Sequence, residues 1–227
     1  MSHTQVIVPL MVLATGVVVV AIVFYFTCFA RRRRMLALME WANNENLDFD
    51  PDGDGTEASL FPELNSLPPT AECAENVFTG LWRGYAIHAF DYHFSKQTDP
   101  TSSEGVLSVL IVEAPCPLKP LFLRPKQLKD SVAQVMGAVA IQFETAAFNR
   151  RFLVQAADRK WAYDVLQPRA LELLLQAAPF NIEFSERYVA ASRGGLFSLR
   201  AYAQALTLVV GLLPEFVRQE EYARGTT

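Results

Sequence analysis

The chain has 227 residues, of which 51% are hydrophobic and 19% charged, and its formal net charge is −4. Residues 35–227 carry 16 basic and 24 acidic side chains, and this net charge of −8 disfavours nucleic acid as a partner. The three cysteines, Cys28, Cys73 and Cys116, form no C-x-x-C pair, which argues against a disulfide scaffold, a zinc site or a dithiol redox centre.

The N-terminal segment is apolar without interruption over residues 6–30. As a helix it would be about 37 Å long, which exceeds the roughly 30 Å hydrocarbon core of a bilayer. A cleavable signal peptide is the alternative interpretation. Such a peptide carries its positive charge before a shorter apolar stretch, whereas here the charge follows a long one. We therefore predict an uncleaved transmembrane anchor over residues 1–34, with the lipid bilayer as a partner.

Four consecutive arginines, Arg31, Arg32, Arg33 and Arg34, follow the apolar run, while the five residues before it contain no Lys or Arg. Cytoplasmic flanks of membrane helices are enriched in these cations. The asymmetry predicts a single-pass protein of the inner (plasma) membrane. Its N-terminus would lie outside and everything after the arginine cluster would lie in the cytoplasm.

Residues 35–69 are predicted to be a juxtamembrane helix followed by an acidic loop, and residues 70–227 a cytoplasmic domain. The loop contains Asp50-Pro51-Asp52-Gly53-Asp54-Gly55, which copies the first half of an EF-hand calcium loop. Asp50, Asp52 and Asp54 are therefore candidate metal ligands. However, the twelfth position, which should supply a bidentate glutamate, is Phe61. The alternative is an acidic turn-forming loop without a metal.

The next part of the chain is predicted to be rich in β-strands. Residues 77–81 and 85–94 form a hairpin pattern, with Gly84 available for a tight turn. Residues 106–113 are predicted to be a buried central strand because all but two of them are apolar. Four prolines follow between residues 114 and 126, so residues 121–123 are predicted to be at most an edge strand.

The last third of the chain mixes short strands with helices. Strands are predicted at 139–143, 152–155, 182–184 and 188–191, with a turn through 145–149. Asp158 is placed to cap a helix that ends near Leu166, and Pro168 suits the first position of another. An apolar stripe over residues 198–218 predicts a long packed helix that Pro214 kinks or ends.

These elements predict an α+β fold: an N-terminal transmembrane helix, then one mixed domain with a mainly antiparallel sheet and packed helices. Several motifs resemble those of an uncharacterised family of bacterial membrane-associated proteins, a domain of unknown function, over roughly residues 70–200. The motifs are Phe143-Glu144, Phe148-Asn149-Arg150-Arg151-Phe152-x-Val154, Asp158 with Ala162, Leu166 and Pro168, and upstream Asn76-Val77-x-x-Gly80 with Phe90-Asp91-Tyr92. The resemblance implies a bacterial source and an α+β domain behind a membrane segment. It assigns no functional residues.

The sequence offers no catalytic motif. It lacks a nucleophile elbow, a phosphate loop, an H-E-x-x-H pair and a dinucleotide glycine pattern, so we assign no catalytic residue and no cofactor. His88 and His93 are five residues apart on one predicted strand and would point to opposite faces. Arg150 and Arg151 could hold an anion or an acidic partner in bidentate fashion. The alternative is that they are solvated or pair with Glu144 and Asp158.

The leading hypothesis from the sequence is a non-enzymatic module that binds an unknown protein partner at the membrane. The alternative is an enzyme or a ligand-binding domain whose site is assembled from residues distant in sequence. A pocket with converging titratable groups would favour the enzyme, whereas an exposed docking surface would favour the interaction module.

Overall fold

The structure is a computed structural model that describes residues 4–53, 55–65, 67, 71–95, 104–126 and 141–213. The chain divides into two compact units, the first ending at Trp41 and the second beginning at Ala42. Its first element is the helix α1, Thr4–Asn44, which spans 41 residues.

Helix α1 is the one helix of the described residues that is long and apolar enough to cross a membrane, judged by length and composition. Its most apolar stretch has a mean hydropathy of 2.4, and none of that stretch is buried within the protein. Leu13, Val20 and Phe24 in this stretch are each 67–68% exposed. Burial in a lipid bilayer would remove this apolar surface from water, and by length and composition α1 is a candidate membrane span.

The globular unit is built on one eight-stranded sheet with the spatial order β1-β2-β3-β4-β8-β7-β5-β6. All neighbouring strands pair antiparallel. This confirms the predicted α+β fold with a mainly antiparallel sheet. The strands are β1 Asp48–Asp50, β2 Ala71–Trp82, β3 Tyr85–Ser95, β4 Glu104–Glu113, β5 Leu121–Pro125, β6 Phe152–Ala156, β7 Asn181–Phe184 and β8 Tyr188–Gly194.

Four helices complete the described part of the globular unit. They are α2 Ala146–Arg151, α3 Arg159–Val165, α4 Pro168–Gln176 and α5 Leu199–Leu212. A short 3-10 helix covers Glu57–Leu60. Two helix starts follow the sequence signals: Asp158 accepts the Trp161 N–H at 3.0 Å, and Pro168 begins α4. Ser198 also caps its helix, where its hydroxyl oxygen accepts the Ala201 N–H at 3.2 Å. The Lys119 ammonium, 2.6 Å from Asp158, and the capped N–H lower the pKa of the Asp158 carboxyl.

The two faces of the sheet have separate cores. On one face, a cluster forms between the strands and the segment that precedes β2, to which Phe61, Leu64 and Leu67 belong. Phe61 packs edge-on against Tyr188 with ring centroids 5.1 Å apart. Helix α5 contacts β4 and β8 and packs against α4. Its Tyr202 ring meets Phe78 of β2 at 5.2 Å.

Three predicted elements differ from the structure. The predicted edge strand at Leu121–Leu123 is wrong, because β5 lies between β7 and β6 and pairs on both sides. Its prolines are tolerated since Pro120 precedes the strand and Pro125 ends it. The predicted turn at 145–149 is the start of helix α2. Residues 141–143 form no strand, although the Ile141 N–H donates to the Val154 carbonyl, and residues 139 and 140 lie outside the described residues.

The stretch predicted to be an acidic loop contributes to the fold. Strand β1 pairs with β2, and Phe49 contacts Phe78 with ring centroids 4.9 Å apart. The prolines and glycines of this stretch are so closely spaced that no periodic pattern of apolar residues can be recognised. Its apolar side chains are buried by the sheet rather than by their own segment, so the local sequence did not reveal them.

Candidate functional site

The arginine cluster stands on α1, directly after the apolar stretch. Arg31, Arg32 and Arg33 are exposed and Arg34 is half-buried. The predicted role of the cluster in orientation stays a prediction.

The calcium-like loop has an internal structural explanation. Asp50 lies in β1, and its carboxylate accepts the Asp52 N–H at 3.1 Å, a local turn bond. Gly53 has φ +59°, and a side chain there would come within 2.5 Å of the Ala74 carbonyl oxygen. The loop therefore needs glycine to lie against β2. Asp54 lies outside the described residues, and among those described no group of three or more His, Cys, Asp or Glu side chains could hold a metal.

Both strand histidines lie on β3. His88 packs against Phe61 with ring centroids 5.1 Å apart. Burial lowers the pKa of His88, and the nearby Glu113 carboxylate partly opposes this shift. His93 lies 3.8 Å from Glu75. The odd spacing sends the two rings to opposite faces of the strand.

The paired arginines have different environments. Arg151 donates through both terminal nitrogens to backbone carbonyls at the end of α4, those of Leu175 and of Ala177, the latter at 2.9 Å. These are carbonyls that a helix terminus leaves without helical partners. Arg150 is exposed. Of the two arginines predicted to contact an anion or a partner, Arg150 therefore has an exposed guanidinium. Arg151 instead stabilises the end of α4.

The motif Phe148-Asn149-Arg150-Arg151-Phe152 contains a polar residue, Asn149, whose side chain bonds to the backbone of a neighbouring segment. Its side-chain amide donates to the Phe143 carbonyl, and its oxygen accepts the Phe143 N–H at 2.9 Å. The Asn149 side chain thereby satisfies both backbone polar groups of Phe143, as a neighbouring strand would do. Phe148 is buried between Phe143 and Phe152. The motif is therefore a folding element.

A buried carboxylate lies between the sheet and α5. Asp91 of β3 is fully buried and accepts hydrogen bonds from the Ser108 hydroxyl, the Tyr202 hydroxyl at 3.0 Å and the Asn76 amide at 2.9 Å. Ser108 in turn accepts the Phe197 N–H at 2.8 Å. The network joins three strands to the start of the helical layer. Because all of these hydrogen bonds join elements of the fold, we interpret the network as structural.

The candidate site is a groove of about 790 Å³ at one end of the sheet. It lies where β5 begins and where β6 and β7 end, since β5 runs antiparallel to both of its neighbours. Its volume falls in the ~300–1,000 Å³ range of ligand sites in proteins.

Three register neighbours contribute the same sheet face to this groove. Phe122 of β5 is paired with Gln155 of β6 on one side and with Glu183 of β7 on the other. Cross-strand neighbours have side chains on one face, about 5 Å apart. The half-buried Phe122 ring is therefore flanked by an amide and a carboxylate.

The segment before β2 supplies one wall of the groove. Glu183 is buried, and its carboxylate accepts both the backbone N–H of Asn65 at 2.8 Å and its side-chain amide at 3.0 Å. This pair fixes the wall to the sheet. Glu63, Glu186 and Arg159 stand exposed around the groove.

The one hydroxyl-bearing side chain among the described lining residues of the groove is engaged in the fold. Its serine, Ser185, is occupied by the β7–β8 turn, where its hydroxyl oxygen accepts the Tyr188 N–H at 3.0 Å. Among the described lining residues there is no histidine or cysteine. The Glu183 carboxylate is held by Asn65, and strand pairing fixes the backbone positions of Phe122, Gln155 and Glu183.

The sequence did not indicate this groove. Its residues come from positions 63–65, 120–122, 155–159 and 183–186, and only the strand order brings them together. One local signal existed: Glu183 is a charged residue between Ile182 and Phe184 in a short apolar strand. A buried charge in such a strand requires a partner, and Asn65 provides it.

Comparison with known proteins gives a similarity in fold without a similarity in sequence. No protein-family model matches this sequence, and no curated protein sequence matches it. The crystal structure of the mycobacterial trehalose monomycolate transport factor A, TtfA, is similar in fold, with a TM-score of 0.54 and 15% identity. The match covers 79% of this chain and 90% of TtfA. At this identity the similarity concerns the fold. The resemblance to the uncharacterised bacterial family stays a prediction.

Proposed function

We propose that this protein is a membrane-anchored, non-enzymatic accessory factor of a membrane transport process, and that its globular domain binds a partner protein. The groove between β5, β6 and β7 carries the proposal. It is an open surface with the Phe122 ring as its floor, and its serine hydroxyl and its buried carboxylate are engaged in the fold.

The membrane location is supported by helix α1. Its apolar stretch is uncovered by the protein, and the arginine cluster follows it. By the positive-inside bias, the globular domain would lie in the cytoplasm, at the inner membrane of a bacterium. The acidic character of residues 35–227 disfavours a domain that lies flat on anionic lipid, and so favours a protein partner.

The transport process is supported by the structural relative. TtfA is a transport factor by its name, and it shares the fold over most of both chains. A fold can serve several functions. TtfA therefore supports only the part of the proposal that concerns a transport process, and the groove supports the part that concerns a binding site.

Orientation is tested with a reporter that is active only in the cytoplasm, fused after Thr227. We expect activity in the wild-type protein. Replacing Arg31, Arg32, Arg33 and Arg34 by Asn and adding lysines before Val6 should mix or invert the orientation. A silent wild-type fusion, with the same reporter active before Val6, would place the domain outside.

Partner binding is tested with a photo-reactive amino acid at position 122, in cells that express the full chain. We expect one specific membrane or membrane-associated protein to be crosslinked there. The matched control is position 172, an exposed residue of α4 away from the groove. No protein crosslink at position 122, or equal crosslinking at both positions, would contradict a groove that binds a partner.

A further inference from the structure

The charges around the groove are unbalanced. Three carboxylates line it, Glu63, Glu183 and Glu186, against the single guanidinium of Arg159. In the described part of the chain, neither Glu63 nor Glu186 makes an ion pair. Lys119, beside the groove residue Pro120, is already paired with Asp158 at 2.6 Å. Glu63 and Glu186 therefore give the groove negative charge that no ion pair within the described part of the chain neutralises.

The Phe122 ring, which forms the floor of the groove, adds a second requirement that a ligand must meet. Phe122 is half-buried with its ring between Gln155 and Glu183. An aromatic face attracts a cation that lies over it, and it also accepts apolar side chains. An anion would be repelled by the carboxylates, and a neutral ligand would gain nothing from the excess charge.

We infer that the groove binds an extended segment of the partner protein that contains lysine or arginine next to apolar residues. This inference rests on the proposed function and names the chemistry of its partner. One cationic side chain would lie over Phe122 and beside the exposed carboxylates of Glu63 and Glu186, and apolar neighbours would cover the exposed part of the Phe122 ring. The partner segment is recognised by charge complementarity, which sets specificity and the association rate more than raw affinity.

The test uses the full chain in nanodiscs of zwitterionic lipid and two fluorescein-labelled nonapeptides. One alternates lysine with valine, and the other alternates glutamate with valine. Fluorescence anisotropy should show saturable binding of the lysine peptide and none of the glutamate peptide. Because the rim charges are exposed, raising the salt concentration from 50 to 500 mM should weaken the binding.

Three substitutions give effects of opposite sign. Glu63→Gln and Glu186→Gln should each weaken lysine-peptide binding by about 2- to 5-fold, the range for an exposed ion pair. Arg159→Gln should strengthen it by a similar factor, because it removes the one repelling charge. The matched control is Glu172→Gln on α4, which should leave the affinity unchanged although it alters the net charge equally.

Each contrary outcome has a distinct meaning. Equal binding of both peptides, or equal effects of Glu172→Gln and Glu186→Gln, would overturn the inference. Displacement of the lysine peptide by millimolar trehalose would show a sugar site and would also overturn it. If position 122 crosslinks a partner through an acidic or uncharged segment, the inference fails and the proposed function stands. If no partner crosslinks there while the lysine peptide still binds, the proposed function fails.

Discussion

At the residue scale, the most constrained position of the described structure is Asp91. A carboxylate that is fully buried needs hydrogen-bond donors on most of its lone pairs, and Asn76, Ser108 and Tyr202 supply them. The donors come from β2, β4 and α5, so one side chain links three elements. The sequence showed only a charge inside a strand pattern.

Asp91→Ala should lower the free energy of unfolding by about 2–4 kcal/mol, because it leaves buried donors without an acceptor. Tyr202→Phe should lower it by about 1 kcal/mol. In a double-mutant cycle measured by urea unfolding, the two should couple by about 0.5–3 kcal/mol. The control is Tyr163→Phe, whose exposed hydroxyl donates to the Gln142 carbonyl, and it should have little effect. Strict additivity of the Asp91 and Tyr202 effects would show that their contact contributes nothing.

His88 predicts a pH dependence of stability. Burial lowers its folded pKa below the ordinary value of 6.5, so the unfolded chain binds the proton more readily than the folded protein does. The His88 contribution is therefore complete above pH 6.5 and is lost as pH falls towards the folded pKa. For one proton the slope cannot exceed about 1.4 kcal/mol per pH unit.

Urea unfolding between pH 5 and pH 8 measures this contribution. Compared with the wild type, His88→Gln should show a shallower loss of stability below pH 6.5. The His93→Gln variant serves as the control, since it keeps His88. It should lose as much stability between pH 6.5 and pH 5 as the wild type does. Identical pH profiles for the wild type and His88→Gln would contradict the assignment.

At the element scale, helix starts were predictable because a cap acts over three residues. Asp158 caps α3 and Pro168 is the first residue of α4, as their sequence signals predict. Residues 145–149 were mistaken for a turn because the helix that begins there, α2, has only six residues and no side-chain cap bond. Its length is too short for a periodic pattern to emerge.

Ser198→Ala should destabilise the protein by about 1 kcal/mol, since it removes the hydrogen bond to the Ala201 N–H at the start of α5. Ser198→Asp should retain most of the stability, because aspartate also caps helices and suits the positive end of the dipole. Thr207→Ala on the exposed side of the same helix is the control and should change stability by less than about 0.5 kcal/mol. Equal effects of Ser198→Ala and Thr207→Ala in thermal melts would remove the capping role.

At the scale of the whole molecule, the globular unit starts earlier than strand patterns indicate. It begins at Ala42, and the segment before β2 contributes β1 and the core residues Phe61, Leu64 and Leu67. The Trp82 indole donates to the Glu45 carboxylate at 2.9 Å, which also ties this segment to the sheet.

A chain that begins at Ala42 should therefore fold as a soluble domain with a cooperative melt. One that begins at residue 70 should be less stable by several kcal/mol, because it loses three core side chains, each worth about 1.5–3 kcal/mol when fully buried. Calorimetry compares the two directly. Equal melting temperatures would mean that the segment before β2 is an appendage, and aggregation of the longer chain would mean that the domain requires the membrane helix.

The sequence by itself determined the features that depend on neighbouring residues. The apolar length of α1, the β2–β3 hairpin, the central strand β4 and the helix caps are each set by patterns within about 25 residues. Only the tertiary structure decided which strands are neighbours. Strand order placed β5 inside the sheet, brought Phe122 between Gln155 and Glu183, and let Asn65 reach a carboxylate 118 residues away. Contacts at such separations depend on how all the apolar faces are buried together, and no local period records that outcome.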